Sequence, residues 1–312
     1  MSHRRLRRAA SLTAAAMIAI AAAPVHAAPP PGGGGDPYNP GIRYVEVTST
    51  PGSDSHVVVT AVCPAGTRAL GGGGKVLGAT NQVFIHRSQP TDSGFVVEAS
   101  ERADLHAGNF PGTWSVQVTA ACGPDYPGFV YVNVTSAADS QQTKSAIAEC
   151  PPRTTKIGMG ASIRGGGRAV RFDSLWRAYL SNSGQNPESV KAVASEIPPG
   201  TTSVWNVVAT VVCAQLPQDV RFAHMLDHVG SLYGSSGSYL DSCEFGGGVH
   251  RYYMVAVGGE GQHPDPGELS LQWYLALGDK ARAALDVYAD DDDHDGDIAL
   301  MGGFICAYKI IY

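Results

Sequence analysis

The stretch Cys63-Pro64-Ala65-Gly66-Thr67-Arg68-Ala69-Leu70-Gly71-Gly72-Gly73-Gly74 recurs in altered form as Cys150-Pro151-Pro152-Arg153-Thr154-Thr155-Lys156-Ile157-Gly158-Met159-Gly160. Both copies fit C-P-x-x-T-x-x-[LI]-G-x-G. Each opening cysteine is answered by a closing one, Cys122 or Cys213, with a tryptophan (Trp114 or Trp205) eight residues before it. Nineteen residues before each opening cysteine stands a tyrosine-led run, Tyr44-Val45-Glu46-Val47-Thr48-Ser49 or Tyr131-Val132-Asn133-Val134-Thr135-Ser136. A third pair, Cys243 and Cys306, repeats the 63-position separation of Cys150 and Cys213, against 59 for Cys63 and Cys122. The chain therefore has an internal period of about 90 residues, which decides the architecture before any local motif does. In the divergent third copy, Gly258-Gly259-Glu260-Gly261 stands as the glycine motif if about seven extra residues follow Cys243.

Residues 1–27 read as a secretory signal: Arg4, Arg5, Arg7 and Arg8, then a short apolar run, then Val25-His26-Ala27. The expectation is a secreted protein, exported by the Sec or the twin-arginine route. Removing this segment's four arginines moves the formal net charge from −6 to −10. An acidic chain without basic clusters is a poor nucleic-acid binder, since phosphate neutralisation needs grouped Lys and Arg. No apolar run is long enough to span a bilayer. Six cysteines in an exported chain read as disulfides, and the period selects one pairing of fifteen: Cys63–Cys122, Cys150–Cys213 and Cys243–Cys306.

Between the cysteines, β-branched and aromatic runs alternate with turn formers. His56–Val62, Gln82–His86, Phe95–Ser100, Trp114–Ala120 and Val204–Val212 all read as strands. The best helical candidate, Lys280–Leu285, also fits a strand. The expected fold is all-β: three tandem disulfide-closed β-sandwich or Greek-key repeats, or alternatively a single pseudo-threefold β-prism. The segments are a Pro/Gly-rich lead-in at 28–41 and repeats at 42–125, 126–217 and 218–312.

The C-P-x-G-T-x-x-L-G-G-G opening, with its tryptophan-led closing strand, resembles a recurrent β-rich repeat of secreted actinobacterial proteins. The resemblance covers Tyr44–Cys213 and implies export, β structure and the disulfides, but no activity. Asp297-Ile298-Ala299-Leu300-Met301-Gly302 is similar to the D-T-A-L-N-G of vitelline membrane outer layer protein, whose β-prism has three sheets.

The most chemical-looking segment is the run from Asp290 to Asp297. Asp291, Asp293 and Asp295 followed by Gly296 form D-x-D-x-D-G, which brings three carboxylates around one calcium ion, with Asp297 beside it. The twelfth position is Gly302 instead of a bidentate Glu, so an ordinary acidic turn is the competing reading. His224 and His228 have H-x-x-x-H spacing, but on a strand they lie about 13 Å apart and cannot grip one ion. Glu98 and Glu101 point to opposite faces of their strand and make a poor acid–base pair. Eight of the thirteen tyrosines lie from Tyr233 onward. Among the aromatics there, Tyr252, Trp273 and Tyr274 are candidates for stacking on a glycan or contacting a protein partner. No nucleophile motif is complete: Asp92-Ser93-Gly94 lacks flanking glycines and Gly234-Ser235-Ser236-Gly237 is not G-x-S-x-G. The functional expectation is a non-catalytic secreted protein with a binding or structural role outside the cell; the alternative is an extracellular hydrolase with its site in the third repeat.

Overall fold

The structure, a computed structural model, describes residues 39–310 apart from 80–81, 103–109, 167, 177–178, 181–183, 186–187, 233–235, 244–251, 263–268, 277–281 and 290–297. It is all-β. The first segment gives β1 (Arg43–Thr48), β2 (His56–Val62), β3 (Thr67–Leu77), β4 (Val83–Thr91), β5 (Gly94–Glu101) and β6 (Ser115–Pro124). The second gives β7 (Val130–Thr135), β8 (Thr143–Glu149), β9 (Thr155–Gly165), β10 (Val170–Trp176), the short β11 (Tyr179–Leu180) and β12 (Gly184–Gln185), β13 (Ser189–Glu196) and β14 (Trp205–Ala214). The third gives β15 (Val220–Leu232), β16 (Ser236–Ser242), β17 (Tyr253–Gln262), β18 (Leu269–Ala276), β19 (Arg282–Ala289) and β20 (Ile298–Lys309). The ambiguous stretch near residue 282 is thus strand. Among the described residues no helix is long and apolar enough to cross a membrane.

Strands sort alike in every segment. One antiparallel group holds the first, last and third long strands: β1-β6-β3, β7-β14-β9 and β15-β20-β17. The other holds the remaining three: β2-β5-β4, β8-β13-β10 and β16-β19-β18. Sheets do not stop at the segment boundaries. β4 pairs with β9 through Arg87↔Ser162 and Ser88↔Ala161, and β10 pairs with β17 through Ser174↔Glu260 and Leu175↔Gly259, giving two six-stranded sheets. β18 in turn lies against β3.

A bulge fixes the register of β3, β9 and β17 at matched points. Ala69, Lys156 and Met254 stand opposite Cys122, Cys213 and Cys306; the next residue of each is left over, and pairing resumes at Gly71, Gly158 and Ala256. The leftover residues are Leu70, Ile157 and Val255, all fully buried. The three strands lie against one another there, and the three bulged apolar side chains all belong to the larger of two buried apolar clusters. That closeness requires glycine: a Cβ on Gly71 would come 2.5 Å from the Val255 carbonyl, and one on Gly158 would overlap the Leu70 carbonyl. By this register Met254 is eleven positions beyond Cys243, whereas Ala69 and Lys156 are six beyond their cysteines. The insertion in the third segment is therefore five residues, not about seven, because Gly258 matches Gly73 and not Gly71.

Disulfides join Cys63 to Cys122, Cys150 to Cys213 and Cys243 to Cys306. Each links a residue close to the second strand to the last strand, and Cys122, Cys213 and Cys306 are fully buried. Closing loops of 59 to 63 residues stabilises each segment by roughly 4 kcal/mol in the chain-entropy model.

A second device appears twice. Buried Glu101, ending β5, accepts a hydrogen bond from Trp114 Nε1 at 3.3 Å and from the Phe110 backbone N–H at 2.9 Å. Buried Glu196, ending β13, accepts from Trp205 Nε1 at 2.8 Å and the Thr201 N–H at 2.9 Å. The two tryptophans are the largest fully buried side chains, and each indole N–H donates to a buried carboxylate; Glu101 is also paired with Arg168 at 3.4 Å. The matching positions at the end of β19 and the start of β20 are Ala289 and Ile298, so the third segment has no counterpart.

Tyrosines at the heads of the first two segments tie each to a neighbour. Tyr131 on β7 donates to the carbonyls of Ala69 and Thr91 in the first segment, both at 3.0 Å. Tyr44 on β1 donates to Met254 O in the third at 2.8 Å. Ala69 and Met254 are matched residues, so the two bonds are the same contact made between different segments. His224 takes the tyrosine's register position on β15, opposite Ile305 as Tyr44 is opposite Ala121 and Tyr131 opposite Val212.

Candidate metal centre

β5 runs between β2 and β4, and its alternation splits its side chains between two environments. Val97, Ala99 and Glu101 are fully buried against the first segment's core, while Glu98 and Ser100 face the other way. β2 places exposed His56 opposite Ser100. β4 places Arg87 opposite Glu98, and a bulge between Ile85 and Arg87 leaves His86 as the extra residue. The bulge re-aims His86 towards Glu98, as bulges commonly do beside functional groups. One ring nitrogen from each histidine and one Glu98 oxygen then lie within 4.8 Å of one another.

Two of the three donors are held from behind. The Arg87 guanidinium bonds Glu98 Oε1 at 2.7 Å, which turns the other oxygen, Oε2, towards His86 Nε2 at 3.7 Å. Ser100 Oγ meets His56 Nδ1 at 2.9 Å. The two imidazoles stand 5.4 Å apart and tilted by 30°. Burial pushes His86 down to about 4 despite the opposing pull of the Glu98 carboxylate, with His56 and Arg87 adding to the lowering. At neutral pH its ring is uncharged and carries a lone pair.

The matched place in the second segment is built differently on the same backbone. β10 has its bulge between Phe172 and Ser174, leaving Asp173 where β4 leaves His86. Thr143 stands opposite Ser195 as His56 stands opposite Ser100, and Val193 occupies the Glu98 position. Here Thr143 Oγ1 lies 2.8 Å from Ser195 Oγ, which donates to Asp173 Oδ2 at 2.5 Å. Their polar groups satisfy one another.

Residues singled out in the sequence are placed as follows. Asp291, Asp293, Asp295 and Asp297 lie outside the described residues. Tyr252 is half-buried and packs on Tyr308, ring centroids 4.8 Å apart, just before β17. Trp273 and Tyr274 are on β18, opposite Leu285 and Ala284. By register Trp273 matches Ser88 and Leu175, the residues at the two joins between segments. Tyr252 thus precedes a strand of one sheet, and the β18 pair lies in another. His224 and His228 pair with Ile305 and Met301 on β20, with a bulge following His228. Glu98 and Glu101 do face opposite ways, one towards the histidines and one towards Trp114. The histidine pair escaped sequence reading because residues 56, 86 and 98 share no motif; the signal was two histidines on strands flanking a lone outward-facing glutamate. An open groove lined by Arg153, Thr155, Gln215, Leu216, Arg221 and Phe222 is a further concave surface.

No protein-family model matches the chain, and no curated protein matches it either.

Proposed function

We propose that this chain is a secreted, non-catalytic β-repeat protein with a binding or structural role at the cell surface or outside the cell, and with a glycan or protein as its ligand. One observation carries the reading: two kinds of polar contact that hold the frame occur at matched positions in the first two segments. The Glu101–Trp114 and Glu196–Trp205 pairs and the Tyr44 and Tyr131 hydrogen bonds recur at equivalent positions. Duplicated polar contacts of this kind supply rigidity, and an activity has to be argued from a site. Three disulfides favour an oxidising compartment, where small β units gain stability from cross-links. The signal-like residues 1–27 favour export, by the Sec or twin-arginine route. In this reading the three segments are copies of one unit, closed into a ring by the contact of β18 with β3 and the Tyr44 bond to Met254.

The test is to expose the purified disulfide-bonded protein to glycan and protein arrays and to broad ester, peptide and glycoside substrates. The expected result is retention of a ligand without turnover. Turnover abolished by a single point substitution in the third segment would replace this reading with the hydrolase.

A further inference from the structure

The geometry points to a single transition-metal site, suited to zinc, formed by His56, His86 and Glu98 on the outer face of the first segment's β2-β5-β4 group. Two imidazole nitrogens and one carboxylate oxygen make a three-ligand set known for zinc, with the fourth position left to solvent or to a donor from a bound partner. The ligand type selects the ion: nitrogen-rich sites suit zinc and its neighbours, while calcium and magnesium take all-oxygen shells. The site is therefore chemically distinct from the aspartate run at 290–297.

Supporting contacts are those a metal site needs. Ligating histidines and carboxylates are oriented by hydrogen bonds on their far sides. Arg87 holds one Glu98 oxygen at 2.7 Å and leaves the other facing His86, while the Ser100 hydroxyl at 2.9 Å from His56 Nδ1 fixes that ring. With bonds of about 2.0–2.1 Å, tetrahedral ligands sit about 3.4 Å apart, so donors now within 4.8 Å close by roughly 1 Å on binding. His56 is exposed and has room to make that movement. The second segment supplies an internal control: at the same bulge, Thr143, Ser195 and Asp173 bond to one another, and Val193 offers no oxygen in place of Glu98.

The experiment is calorimetric titration of the chelator-treated, disulfide-bonded protein with zinc chloride. It compares wild type, His56→Asn, Glu98→Gln and the pair Asp293→Asn/Asp295→Asn. Wild type and the aspartate double variant are expected to bind one zinc per chain with the same affinity. His56→Asn and Glu98→Gln should each weaken binding at least tenfold. Because His56 is exposed, His56→Asn should melt as wild type does without metal, so its loss of affinity cannot be ascribed to unfolding. Absence of a one-site isotherm, unchanged affinity in both single variants, or binding abolished by the aspartate substitutions would each overturn the proposal.

Discussion

The first and second segments share their frame and part company at one bulge. Tyr44 and Tyr131, Glu101 and Glu196, and Trp114 and Trp205 make the same contacts in both. Yet the bulge of β4 presents His86 beside Glu98 and His56, while that of β10 presents Asp173 beside Ser195 and Thr143. In the second segment the three groups bond to one another and offer no imidazole nitrogen. In the first, two imidazoles and a carboxylate converge without satisfying one another. The backbone is common property; the chemistry lies in three side chains.

Transplanting one site onto the other should have the largest effect. His56→Thr, His86→Asp and Glu98→Val together copy the second segment's residues into the first. Zinc affinity is expected to fall at least a hundredfold, with the three disulfides and far-ultraviolet spectrum unchanged. If the triple variant binds as wild type does, the contrast between the bulges has no chemical meaning.

Frame substitutions, by contrast, should act in the same direction in both segments. Trp114→Phe and Trp205→Phe each leave a buried carboxylate short of one donor, at a cost of about 2 kcal/mol on the scale for hydrogen bonds to charged groups. Denaturant unfolding should show a loss in both variants, the smaller one in Trp114→Phe because Arg168 still pairs with Glu101, and the same zinc affinity as wild type. Asp173→Asn comes next: weakening the bond from Ser195 should cost about 1 kcal/mol without altering metal binding.

The smallest effect is a response to alkali. Burial pushes the Tyr131 hydroxyl up to about 12, with Asp92 and Asp125 also raising it against the pull of Arg68. The folded state thus favours the neutral phenol, whose ordinary value is about 10. The stability this contributes is complete below about pH 10 and is lost as pH rises through about 12. Tyr131→Phe should flatten the melting profile over that window; an unchanged slope would show that the bonds to Ala69 and Thr91 do not feel the ionisation.

Much of the frame was readable in the sequence because it repeats. The cysteine spacing, the tyrosine nineteen residues before each opening cysteine and the tryptophan eight before each closing one are all positions where side chains do the same work twice. The joins between segments were not readable. β4 meets β9 through only two residue pairs, Arg87↔Ser162 and Ser88↔Ala161, which leave no pattern in either strand. Bulges hide in the same way: an extra residue at Val255 or His86 shifts register without marking the sequence. The third segment's insertion is five residues and not seven because Ala256 and Val257 stand where the first segment has Gly71 and Gly72. The histidine site depends on such a bulge and on three strands meeting, and no linear spacing encodes that.

The most direct measurement is anomalous scattering at the zinc edge from crystals of the disulfide-bonded protein grown with zinc. The account predicts one strong peak within bonding distance of His56, His86 and Glu98, and none beside Thr143, Asp173 and Ser195. A first site with no peak, or peaks of equal strength at both bulges, would contradict it.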